Sequence, residues 1–158
     1  MMTIASGSSV ALLLFLLSGV KDVDGWEKAK WGMSEQEVRT AFAPDIKGAT
    51  NLELDDVTVD HLHFSARFWI DAKSKQLTGV RLTNIDKGIS TSTFAALEKA
   101  LVQQYGPPTE RTNGARLITV WEFPSSVIEM HYGESPLIGH YLLLNYSQAA
   151  KPGRGTSQ

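Results

Sequence analysis

The residues from Leu62 to Ile70 alternate strictly between two kinds of side chain. Successive side chains of a β-strand point to opposite faces, so this alternation predicts a strand rather than a helix. One face would carry Leu62, Phe64, Ala66, Phe68 and Ile70, and the other His61, His63, Ser65, Arg67 and Trp69. A strand of this kind is typical of an antiparallel sheet with one covered face and one face open to solvent.

Four other segments predict further strands by the same kind of pattern. They are residues 77–84, 117–123, 127–132 and 140–146. The links between successive segments are short, which makes them antiparallel neighbours.

Residues 90–108 predict an amphipathic helix with clear ends. Phe94, Leu97, Leu101 and Tyr105 recur at helical spacing. Ser90, Thr91 and Ser92 are candidate N-caps, and Gly106 followed by two prolines predicts the end of the helix. This helix is expected to cover the sheet.

A second, shorter helix is predicted after Met33. Ser34 and Glu37 have the spacing of a capping box, in which each side chain binds the other residue's backbone N–H. Pro44 predicts its end. The expected fold is therefore α+β: a single antiparallel sheet of about five strands with two helices on one face, in the order α-β-β-α-β-β-β.

The N-terminal region predicts export. The run from Val10 to Leu17 is apolar and has the length of a signal-peptide core, well short of the roughly 20 residues of a membrane-spanning helix. We assign residues 1–25 to a signal peptide, 26–147 to the α+β domain and 148–158 to a disordered tail. The expected compartment is the periplasm, with no membrane span in the mature chain. A buried N-terminal helix is the alternative interpretation of the apolar run.

Composition excludes several classes of function. The chain has 15 Lys and Arg against 17 Asp and Glu, without a basic stripe, so nucleic-acid binding is not expected. It has no cysteine, which excludes disulfides and thiolate metal sites.

The segment Trp31-Gly32-Met33-Ser34 leading into Glu37-Val38, together with the ending Tyr105-Gly106-Pro107-Pro108, resembles a group of small exported bacterial domains. These are the proteins related to the outer-membrane assembly lipoprotein BamE (SmpA/OmlA) and to β-lactamase-inhibitor protein. The chain departs from them in lacking the lipobox cysteine and the inhibitor's cysteine pairs. The resemblance implies an exported domain that binds other proteins and has no catalytic site.

The polar face of the 62–70 strand is the candidate binding surface. His61, His63, Arg67 and Trp69 share that face. Exposed aromatic and arginine side chains are typical of protein-binding patches. We therefore predict a non-catalytic module that recognises a protein partner or an envelope component, with no cofactor. For any single tryptophan, packing at the edge of the core is the alternative.

Two other functions remain as alternatives. His61, His63, His131 and His140 would form a zinc or copper site if three imidazoles, or two with Asp60 or Glu129, converged. His131 and His140 flank the last loop and are expected to lie nearly opposite each other in a hairpin. The other alternative is a hydrolase with an unrecognised site, because no Gly-x-Ser-x-Gly motif is present.

Overall fold

The computed structural model of the protein describes residues 21–46 and 50–150. Its elements in chain order are β1 (Gly25–Trp26), β2 (Ala29–Lys30), α1 (Glu35–Ala41), β3 (Glu53–Val59), β4 (Leu62–Ile70), β5 (Leu77–Asn84), α2 (Thr91–Tyr105), β6 (Glu110–Asn113), β7 (Leu117–Glu122), β8 (Ser126–Ser135) and β9 (Gly139–Gln148). The apolar run Val10–Leu17 and most of the predicted tail lie outside the described residues.

The prediction of a five-stranded sheet is wrong. The structure has a seven-stranded antiparallel sheet in the order β3-β4-β5-β9-β8-β7-β6, together with a separate two-stranded sheet of β1 and β2. The five predicted strands form the centre of the larger sheet. The additional strands β3 and β6 form its two edges. The fold remains α+β, with strands making up most of the regular structure.

We call the face of the large sheet that contacts the helices the inner face. One register row across it reads Leu54, Ala66, Leu82, Leu144, Met130, Thr119 and Arg111. Phe42, just after α1, packs on Phe68 with ring centroids 5.0 Å apart. Phe94 of α2 lies 6.2 Å from Tyr132. Both helices therefore cover the same face, and the alternation of β4 places its apolar side chains beneath them.

The opposite face, which we call the outer face, carries the alternate residues of every strand. The adjacent register row across it reads Glu53, Arg67, Arg81, Asn145, Glu129, Val120 and Glu110. Neither helix contributes to the core from this side, so polar and charged residues occupy positions that would be costly on the inner face. Five of the seven residues in this row are charged: Glu53, Arg67, Arg81, Glu129 and Glu110.

The helix caps are confirmed. Ser34 and Glu37 form the capping box of α1, with Ser34 N donating to Glu37 Oε2 at 2.7 Å. This hydrogen bond, followed by the one from the Ser34 hydroxyl, holds the pKa of Glu37 below its usual value. Ser90 caps α2 through Thr93, and Gly106 ends that helix with a φ of 85°. Only glycine adopts such a backbone readily, which explains why the helix stops there.

The residues just before Trp26 are part of the folded domain. Ser125 N donates to Asp22 Oδ1 at 3.0 Å, and Trp31 N donates to Asp24 O at 3.0 Å. Gly25 is buried and pairs with Lys30 across the β1–β2 hairpin. A boundary between Gly25 and Trp26 would pass through β1, so these contacts favour a domain that starts at or before Asp22.

Within the described residues, no helix combines the length and the apolar character needed to cross a membrane.

Candidate binding surface

Trp69 is the largest exposed aromatic side chain of the outer face, with 48% of its surface accessible. It pairs in register with Gly79 of β5. A Cβ built on Gly79 would lie 3.8 Å from both Cβ and Cδ1 of Trp69, so the indole lies next to the bare backbone of this glycine. The glycine has no side chain to cover the indole, which helps to leave nearly half of the Trp69 surface exposed.

Arg81 lies against the same indole. Its Cζ atom is 5.7 Å from the centroid of the Trp69 ring, within the range of a cation–π contact. Its Nε atom donates to Asn145 Oδ1 at 2.8 Å. Trp69, Arg81, Asn145 and Glu129 line an open groove of about 410 Å³. The guanidinium is therefore held from two sides at the edge of this groove.

Arg67 and His63 continue the surface toward the sheet edge. Arg67 Nη2 donates to Glu53 Oε2 of β3 at 3.1 Å. His63 Nδ1 lies 2.9 Å from Asp56 Oδ1, and its backbone N–H donates to Asp86 Oδ2. The hydrogen bond to Asp56, followed by its charge, raises the pKa of His63 above the ordinary 6.5. Both side chains are thus paired with the carboxylates of neighbouring segments.

His61 lies in the turn before β4, so the prediction that His61 and His63 belong to the same strand is wrong. Asp60 and His61 form the tight turn between β3 and β4, with φ angles of 44° and 67°. Strand β4 begins one residue later, at Leu62. The turn breaks the alternation because its backbone is left-handed, and the face of His61 no longer follows from its position in the sequence.

The structure does not bring the four histidines together. His131 pairs with Leu143 on the outer face, whereas His140 pairs with Glu134 on the inner side. The His140 ring stacks on Tyr132 at 5.7 Å, and its Nδ1 lies 3.1 Å from the Tyr132 hydroxyl. His63 is three strands away from His131, roughly 14 Å at the usual strand spacing. Among the described residues, no group of three or more histidine, aspartate or glutamate residues could hold a metal ion.

His131 has the least satisfied imidazole. Its Nε2 atom is buried and has no hydrogen-bond partner among the described residues. The nearest carboxylate oxygen, Glu129 Oε2, lies 3.6 Å away, which allows an ion pair if the ring is protonated. The pair lies beside the groove that contains Trp69 and Arg81.

Three exposed residues are not among the predicted site residues: Arg81, Leu137 and Ile138. The alternation of Arg81 with Val80 and Leu82 in β5 is a usable signal that it lies on the outer face. Leu137 and Ile138, in the loop between β8 and β9, expose 93% and 73% of their surfaces. Residues in a loop follow no helix or strand periodicity. The one sequence signal for these exposed side chains is that two aliphatic residues stand together after Pro136.

A larger groove of about 810 Å³ lies between the N-terminal segment, the β3–β4 turn and the end of α2. Its aromatic lining is Trp26, Tyr105, Phe123 and Tyr146, and the hydroxyl oxygens of the two tyrosines are 3.5 Å apart. Burial raises the pKa values of both phenols, so both stay protonated at neutral pH.

Comparison of the chain with protein-family models, with curated proteins and with solved structures finds no significant match to any of them. The geometry of the outer face is therefore the basis for any statement about function.

Proposed function

We propose that this protein is an exported, non-catalytic binding module that recognises a protein partner or an envelope component through the outer face of its sheet. The contact surface includes Trp69, Arg67 and His63, and His61 lies in the turn just before this strand. The observation that carries the proposal is the half-exposed indole of Trp69, supported by Gly79 below it and by Arg81 beside it. A rigid aromatic side chain on an open surface is the usual anchor of a protein interface.

The half-exposed side chain of Trp69 is not part of the hydrophobic core. A tryptophan that only stabilises the fold would bury most of its surface, as Trp26 and Trp121 do at 6% and 1% exposure. Arg67 and Arg81 lie in register with each other in the next row of the outer face, so a flat partner surface can reach the indole and both arginines together. The apolar run Val10–Leu17 supports export, and the resemblance of residues 31–38 to BamE-like domains supports the periplasm as the compartment.

The experiment compares three proteins immobilised as baits for an envelope extract: wild type, Trp69→Ala and Leu137→Ala. Captured proteins are identified by mass spectrometry, and binding is repeated with the purified partner. We expect Trp69→Ala to weaken binding by at least about tenfold, the usual loss at an aromatic anchor, with an unchanged circular dichroism spectrum.

Leu137→Ala is the matched control, because it also removes a large exposed apolar side chain, at a distant loop. Equal binding by wild type and Trp69→Ala would overturn the proposal. Loss with Leu137→Ala alone would move the contact to the β8–β9 loop and would overturn it as well.

A further inference from the structure

Two arginines lie directly opposite each other on neighbouring strands of the outer face. Arg67 of β4 and Arg81 of β5 are partners in the register. Like charges in this position repel each other and destabilise a sheet. Glu53 neutralises Arg67 at 3.1 Å. Among the described residues, no carboxylate lies within salt-bridge distance of Arg81, so its charge has no counterpart in this part of the protein.

The guanidinium of Arg81 is also fixed in orientation. The stacking on Trp69 and the hydrogen bond from Nε to Asn145 restrain its plane. No hydrogen bond of the described residues uses its two terminal nitrogens. The plane of this guanidinium is restrained, and its terminal N–H donors are unused by the described residues. Such a group binds a carboxylate through two parallel hydrogen bonds with little loss of side-chain entropy.

We propose that the terminal nitrogens of Arg81 bind the carboxylate of an acidic side chain on a protein partner, while the Trp69 indole packs against an apolar residue next to that acid. This inference rests on the proposed function and adds the chemistry of the partner. Arg67 keeps its own bond to Glu53, so Arg81 is the arginine of this pair whose charge is left for the partner.

The charges around the groove favour a single carboxylate over a phosphate or a polyanion. Glu129 lines the same groove as Arg81, and Glu110 and Glu122 lie on the outer face of the strands beyond it. These carboxylates would repel a ligand with several negative charges. The uncompensated positive charge is therefore confined to the guanidinium of Arg81, which suits one acidic side chain with an apolar neighbour.

The test uses four probes: a capped peptide with one Glu beside one Leu, the same peptide with Gln in place of Glu, sodium acetate and inorganic pyrophosphate. Binding is followed by NMR through the Trp69 indole N–H and the Arg81 Nε–H. We expect the Glu peptide to shift both resonances saturably, more strongly than acetate, and the Gln peptide to leave them unchanged. Arg81→Gln should weaken the apparent affinity by about tenfold or more, the range of a charge-assisted pair.

Arg116→Gln is the matched control, since Arg116 is an exposed arginine outside the strands and should not affect binding. Equal responses to the Glu and Gln peptides, a stronger response to pyrophosphate than to the Glu peptide, or an equal loss with Arg116→Gln would each overturn the inference. Capture of a partner that requires Trp69 but is unaffected by Arg81→Gln would overturn the inference while the proposed function stands.

Discussion

The indole nitrogen of Trp31 donates a 2.7 Å hydrogen bond to the hydroxyl oxygen of Ser126, a residue 95 positions away in the chain. The same hydroxyl donates to the backbone carbonyl of Val23. Ser126 is completely buried at the start of β8. One serine thus ties the N-terminal segment to the last hairpin of the sheet.

We predict that Ser126→Ala lowers the free energy of unfolding by about 1–3 kcal/mol, because it leaves the Val23 carbonyl and the Trp31 indole without their partner. Urea denaturation followed by tryptophan fluorescence measures the effect. Ser92→Ala, an exposed position in α2, is the control and should not destabilise the protein. Equal stability of the Ser126 variant and wild type would contradict the role of this bond.

Alanine substitutions at Gly25 and at Gly79 should have very different effects on stability. A Cβ on Gly25 would lie only 1.9 Å from the carbonyl oxygen of Ala29, and backbone cannot move aside cheaply. Gly25→Ala should therefore destabilise the protein by at least about 2 kcal/mol. A Cβ on Gly79 meets atoms no closer than 3.4 Å, so Gly79→Ala should change stability by less than about 1 kcal/mol. The melting temperatures of the two variants measure the difference. Similar melting temperatures would contradict the close approach of Gly25 to the Ala29 carbonyl in the β1–β2 hairpin.

The contacts of Asp22 to Gly25 predict where cleavage of the proposed signal peptide leaves the N-terminus. Cleavage after Gly25 would remove the Asp22–Ser125 and Val23–Ser126 bonds and would cut through the first strand of the hairpin. We expect the cleaved protein to begin at or before Asp22, as measured by its intact mass. A version beginning at Trp26 should be less stable than one beginning at Lys21 by about 2 kcal/mol. A mature chain that starts at Trp26 would refute this prediction.

The pair of His63 and Asp56 predicts a dependence of stability on pH. The pKa of His63 is raised above 6.5 in the folded state. The pair therefore contributes its full stabilisation below the unfolded-state pKa and loses it as the pH rises through the folded-state pKa. The melting-temperature difference between wild type and Asp56→Asn should be larger at about pH 5.5 than at about pH 8.5. NMR titration of His63 should give a lower pKa in that variant, and an unchanged pKa would show that the pair does not form.

The carboxylate of Glu98 on α2 accepts hydrogen bonds from Thr119 Oγ1 at 2.7 Å and from Arg111 Nε at 2.9 Å. Thr119 is 1% exposed, so Glu98→Ala leaves its hydroxyl buried without an acceptor. We expect a loss of about 1–3 kcal/mol in urea denaturation. The double variant Glu98→Ala/Thr119→Val should recover part of the lost stability, because it no longer has a buried hydroxyl without an acceptor. The exposed neighbour Lys99→Ala serves as control, and no recovery in the double variant would point to a different cause.

Local sequence determined the elements whose signals lie within a few residues. The capping box of Ser34 and Glu37, the caps and apolar stripe of α2, and the alternation of β4 depend on neighbours along the chain, and the structure contains all three. The open outer face with Arg67 and Trp69 followed from that alternation alone.

The tertiary structure decided what depends on distant partners. Strand β6 is polar and exposed at every position, so only its pairing with β7 makes it a strand. The pairing of β5 with β9 joins residues sixty or more positions apart in the chain, and it places Asn145 beside Arg81. The opposite faces of His131 and His140 follow from the register of one hairpin, because a shift of one residue exchanges the two faces of a strand. Local patterns fix which side chains share a face, whereas long-range register fixes which of them meet.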